Sequence, residues 1–178
     1  ECGVCGGGGP SAGYDCFGEC DDPTICSEIT LSFVNVTSSS ADLVYSNSNF
    51  AIGGFQFNVD GVTVTDVSSV FEMTTTGNNT VIAFSLSGIS LPTGNGDLVS
   101  LTFEETVDGS YMYLPPWELT ISTEEGVAFR TVSGPSGDDI IDANVPGCDN
   151  ADCAGVCGGS LELDICGECN GPGLNAEG

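Results

Sequence analysis

Phe55-Gln-Phe-Asn-Val-Asp60 decides the fold. Phe55, Phe57 and Val59 alternate with Gln56, Asn58 and Asp60, so as a strand the stretch turns one apolar row toward a core and one polar row toward water. The same period of two recurs further along. Ile82, Phe84 and Leu86 alternate with Ala83, Ser85 and Ser87; Val99, Leu101 and Phe103 alternate with Ser100, Thr102 and Glu104. In each case the large apolar row is the one expected inside. Weaker alternation marks Ile29, Leu31 and Phe33, then Leu43 and Tyr45, Val62 and Val64, Trp117, Leu119 and Ile121, and Val127 and Phe129. Turn residues at Gly77-Asn78-Asn79, Thr93-Gly94-Asn95-Gly96 and Asp108-Gly109 punctuate these runs. About eight or nine short strands at this spacing predict an all-β chain folded as a single two-sheet β-sandwich.

Composition shifts near Cys26 and again near Cys148, which divides the chain into a Cys/Gly-rich segment 1-26, the sandwich 27-147 and a Cys/Gly/Asp-rich segment 148-178. Cys2, Cys5, Cys16, Cys20 and Cys26 lie at one end, and Cys148, Cys153, Cys157, Cys166 and Cys169 at the other. Neither end holds enough large apolar side chains to fold on its own core, so its order must come from disulfides and metal. The Cys-x2-Cys and Cys-x3-Cys spacings also suit zinc, but the chain has no His, and cysteines at such density point to an oxidising, extracellular compartment. Complete oxidation is expected. An odd number at each end then requires a bridge between the ends, within one chain or between two, and Cys26 with Cys148 is the pair nearest the sandwich borders. Closing that loop would contribute about 4–5 kcal/mol in the chain-entropy model. The cysteine motifs run in reverse order at the two ends, as though the chain begins in mid-module, and the initial Glu1 suggests a processed form or an excised segment.

Against 26 acids stands a single base, Arg130, for a formal charge of -25. Such a chain repels nucleic acid and anionic membrane surfaces, and no apolar run approaches membrane-spanning length. Excess hard oxygen ligands favour calcium. The acids that recur beside the cysteines are the metal candidates: Asp15, Asp149, Asp152 and Asp164, with Asn170. Asp21, Asp22, Asp138, Asp139 and Asp142 read as solvated loops. Without His or Lys the usual nucleophilic triads and Schiff bases are excluded, and the pairs Glu104-Glu105 and Glu124-Glu125 would point to opposite faces of a strand, so no enzyme is expected. Asn78-Asn-Thr80 in a turn, and Asn35-Val-Thr37 beside a strand, fit the N-glycosylation pattern. Tyr111, Tyr113 and Trp117 suit either a sugar platform or a cover over one end of the core.

The segment Ile52-Gly-Gly-Phe-Gln-Phe-Asn-Val-Asp-Gly61 resembles the early strand of cohesin-like sandwich modules of bacterial extracellular proteins. Thr80-Val-Ile-Ala-Phe-Ser-Leu-Ser-Gly88, Leu91-Pro92 with Gly94 and Gly96, Leu98-Val-Ser-Leu-Thr-Phe103 and the stretch from Ser133 to Cys148 continue the resemblance in order. Asp152-Cys-Ala-Gly-Val-Cys-Gly-Gly159 and Asp164-Ile-Cys-Gly-Glu-Cys-Asn-Gly171 look like the Cys/Gly/Asp repeats that accompany such modules. The resemblance implies a cohesin- or jelly-roll-like sandwich flanked by small, disulfide-rich, calcium-binding Cys/Gly modules. It identifies no binding residue. The leading expectation is a calcium-stabilised extracellular subunit, or repeating segment, of a fibre or surface appendage, self-associating head to tail. The alternative is a cohesin-like binding module for a dockerin or polysaccharide within a large secreted scaffold.

Overall fold

The computed structural model describes residues 9–17 and 19–171. Eleven strands form among them: β1 (Glu28–Val34), β2 (Ser40–Ser48), β3 (Ile52–Asn58), β4 (Val64–Ser68), β5 (Met73–Gly77), β6 (Thr80–Phe84), β7 (Gly94–Phe103), β8 (Ser110–Leu114), β9 (Thr120–Thr123), β10 (Thr131–Ser133) and β11 (Ile141–Val145). Four strands have no alternation to announce them, the Thr- and Ser-rich β5 and β10 and the ribbon strands β8 and β11, all held by backbone pairing, while the run expected at Val127 and Phe129 forms no strand and Ala128 makes an isolated bridge to Ser122. One sheet has the order β10-β1-β2-β7-β4 and a second β5-β6-β3-β9; β11 and β8 form a two-stranded ribbon. The ribbon continues the second sheet, because Asp60, just past β3, exchanges both backbone hydrogen bonds with Tyr113 of β8 at 2.9 and 3.1 Å.

The core lies between the sheets. Leu31, Leu43 and Leu101 from the first meet Phe57, Val81 and Ile121 from the second, with Met112 and Ile141 from the ribbon, and each is at most 1% exposed. Burial of each such side chain contributes roughly 1.5–3 kcal/mol. The phases expected for β3 and β7 hold: Phe55, Phe57, Val59, Val99, Leu101 and Phe103 are all buried. That of β6 is reversed. Val81 and Ala83 point into the core at 0% and 1% exposure, while Phe84 is 42% exposed and Leu86, beyond the strand, 75%. The larger row of β6 faces outward because the register places Ile82 opposite Gln56 and Phe84 opposite Gly54, on the polar face of β3.

The β5–β6 turn is made by Asn78 and Asn79 at φ 52° and 61°, as a two-residue hairpin requires. Asn79 also donates from its side-chain amide to Val62 O at 2.7 Å and accepts from Val64 N at 2.9 Å, which ties the hairpin to the start of β4.

Outside the sandwich the order is local. Asp22 caps the short helix α1 (Pro23–Cys26), accepting from Thr24 N at 3.0 Å. This turn carries Cys26 back to Cys20, and the two are bonded. Cys148 is bonded to Cys157, and Cys153 to Cys169. The expected clasp from Cys26 to Cys148 is therefore absent: each finds a partner within ten residues, where a turn already brings the backbones together. Cys16 is disulfide-bonded as well. Cys166 is a free, exposed thiol, so oxidation is not complete. Cys2 and Cys5 lie outside the described residues.

Candidate functional site

On the outward side of the second sheet, paired strands present the exposed side chains of Met73 and Phe84. Met73 pairs with Phe84, Phe84 with Gly54, and Ile82 with both Thr75 and Gln56, so Met73, Ile82 and Phe84 share this side. Gly54 belongs there because a Cβ at this position would lie 2.8 Å from Ala83 O. Further along the same row Asn58 accepts from Thr80 Oγ1 and donates to Glu118 Oε2 at 2.6 Å, which makes a polar centre.

Beyond that centre the surface becomes aromatic and acidic. Tyr113 of β8 stands opposite Asp60 on one side and Asp142 of β11 on the other. Its ring lies 6.1 Å from that of Tyr111, at an interplanar angle of 29°. Hydrogen bonding with Asp142 raises the Tyr111 phenol above its ordinary value, and hydrogen bonding with Asp60 does the same for Tyr113. Trp117, on the 3-10 turn Pro116–Glu118, is 79% exposed. Of the three aromatics expected to act together, the structure pairs Tyr111 with Tyr113.

The metal candidates fall into repeated turns. Asp15 Oδ1 accepts from Phe17 N and Glu19 N, both at 2.8 Å; Asp152 Oδ1 accepts from Ala154 N and Val156 N at 3.0 and 2.9 Å; Asp164 Oδ1 accepts from Cys166 N and Glu168 N at 2.8 and 2.9 Å. Each is an Asp-headed turn in which the carboxylate satisfies the backbone N–H groups two and four residues on. Gly155 and Gly167, at φ 76° and 84°, supply the left-handed residue that returns the chain. The acids thus recur with the cysteines because the turn needs them. They do not converge: among the described residues the group with three ligand atoms close enough to share an ion is Glu105, Cys148 and Cys157, and its two sulfurs are bonded to each other. Asp149 is not part of that group, and Asn170 takes φ 55° while its N–H donates to Glu162 O at 3.0 Å. Asn78 and Asn35 are both exposed, and Asn35 donates from its side-chain amide to Asp42 at 2.8 Å.

No family model and no curated protein matches the chain. Solved structures do. A chain of a complex between a variant of CaDoc0917 and CaCohA2, the latter from Clostridium acetobutylicum, matches with a TM-score of 0.51 at 14% identity, over 67% of this chain and 99% of that one. The sandwich is cohesin-like. The third cohesin of ScaC from Acetivibrio cellulolyticus, in complex with the ScaB dockerin, follows at TM-score 0.49 and 11% identity, over 67% of this chain and 98% of its own. A non-cellulosomal cohesin from the archaeon Archaeoglobus fulgidus gives 0.46 and 12%, over 67% and 91%. Identities this low speak for the cohesin fold alone. No helix among the described residues is long and apolar enough to cross a membrane.

Sequence reasoning passed over the outward row of β6. Its signal was present, since both Val81-Ala83 and Ile82-Phe84 are apolar rows and only one of them can enter the core.

Proposed function

We propose that this chain is a non-enzymatic, extracellular recognition module, part of a larger secreted assembly, that docks a protein partner across the outward face of the β5-β6-β3-β9 sheet. The observation that carries this reading is the exposed pair Met73 and Phe84, with half-buried Ile82 on the same side, on regular, paired strands where burial by a partner would be favourable. The cohesin-like architecture supports it, and a dockerin is the partner class to try first. The head-to-tail fibre subunit, motivated by the complementary order of the cysteine motifs at the two ends, is supported less well than this reading, and the bridge expected between the ends is replaced by Cys20–Cys26, Cys148–Cys157 and Cys153–Cys169. Calcium remains part of the proposal as a counter-ion for a chain of formal charge -25.

The test is calorimetric titration of a panel of dockerin domains into the wild-type chain and into an Ile82→Ser/Phe84→Ser variant. At least one dockerin is expected to bind the wild type, with affinity for the variant reduced by about tenfold or more. Equal affinity for both forms, or no binding by any dockerin, would overturn the reading.

A further inference from the structure

The acidic, aromatic end of the docking face has a chemistry distinct from its apolar end. Tyr111, Tyr113, Leu114, Pro116, Asp139 and Ile140 line a shallow cavity of about 240 Å³ that opens to solvent. Tyr111 is 49% and Ile140 55% exposed, so apolar and aromatic surface is available at its mouth. Carboxylates surround it: Asp139 in the wall, and Asp60 and Asp142 on the two strands flanking Tyr113. Arg130 lines an adjoining cavity with Pro116 and Asp139, and is not among the residues of this one. A ring face beside carboxylates attracts a cation twice over, through the ring quadrupole and through charge. An anion is repelled. The rest of the molecule acts in the same sense, since 26 acids against one base focus a negative potential on any concave site.

We infer that the Tyr111–Tyr113 cavity receives a Lys or Arg side chain of the protein partner. This rests on the docking reading above and adds to it the chemistry of one anchor. A second copy of this chain is a poor source, since it holds a single guanidinium and brings a further charge of -25. The partner is therefore a different protein that presents a Lys or Arg side chain on its surface. Its aliphatic stem would lie against Ile140 and Pro116 while its cationic head lies between the rings and Asp142.

The experiment is NMR of the full chain labelled at its tyrosine rings, titrated with acetyl-Gly-Arg-Gly-amide, with the same peptide carrying citrulline in place of Arg, and with cellohexaose. The Arg peptide is expected to shift Tyr111 and Tyr113 saturably, the neutral citrulline peptide to bind about tenfold more weakly, and remote, exposed Tyr14 to stay unmoved. Tyr113→Leu and Asp142→Asn should each abolish the shifts. Retention of the wild-type aliphatic core signals shows which variants are folded, and Asp142, on the surface, gives the variant that spares the core. Equal shifts from both peptides, equal movement of Tyr14, or ring shifts from cellohexaose alone would each overturn the inference. The first two outcomes leave the dockerin titration free to succeed through Ile82 and Phe84, so the anchor and the docking face fail separately.

Discussion

β3 and β6 are adjacent, antiparallel and similarly patterned, yet their larger apolar rows point in opposite directions. In β3 the row Phe55, Phe57 enters the core, whereas in β6 the row Ile82, Phe84 faces solvent and the smaller Val81 and Ala83 go inside. Pairing explains why. Once β3 fixes its phase, each residue of β6 must share a face with its partner, so Ile82 follows Gln56 and Phe84 follows Gly54. Held outward, Phe84 meets Met73 across the strands but stays out of the core, and the proposed docking face is built on that difference.

The sharpest way to break the comparison is to truncate one ring on each side. Phe57→Ala empties a fully buried site next to Phe55, whose ring centroid lies 5.6 Å away, and should destabilise by about 3–5 kcal/mol in denaturant unfolding. Phe84→Ser should change stability by no more than about 0.5 kcal/mol, as surface substitutions do. Comparable losses from the two would show that β6 is core on both sides.

The tails contrast with the sandwich in what holds them. Alkylation of the non-reduced chain should label Cys166 and spare Cys153 and Cys169, which peptide mass mapping reads directly. An unlabelled Cys166 would mean that it is bridged. Acid should loosen the Asp152 turn while the sandwich stands. Hydrogen bonds from backbone N–H groups, Val156 first, hold the Asp152 carboxyl below its ordinary 3.8. Its folded value lies under its unfolded one, so the contribution is present above the unfolded value and is lost as pH falls through the folded one. The amide signals of Ala154 and Val156 should therefore shift toward unfolded positions below the ordinary carboxylate range, with those of Val81 unchanged. Amides in all three positions moving together would make tail and sandwich one cooperative unit.

Much of this was legible in the chain. Phe57, Leu101 and Leu31 announce the sandwich because their polar alternates leave one choice of phase. Ile82 and Phe84 did not announce theirs, because apolar residues on both faces make the alternation ambiguous and only the register resolves it. Asp152 and Asp164 were conspicuous at fixed offsets from cysteine, but offset alone does not distinguish a carboxylate that gathers backbone N–H groups from one that gathers a cation. Cysteine counting gave parity without geometry. The Cys26 turn, closed by the Asp22 cap, depends on a four-residue helix too short to carry a periodic signal.

Hydroxyl-radical footprinting of the chain, free and bound to its partner, tests the docking face most directly. In the free chain Met73, Ile82 and Phe84 should oxidise, as should Val156 and Ile165 in the tail, which are 55% and 77% exposed. Binding should protect the three sheet residues and leave the two tail residues as reactive as before. Protection of Val156 and Ile165 with Met73, Ile82 and Phe84 still reactive would contradict the account and return the contact to the tails.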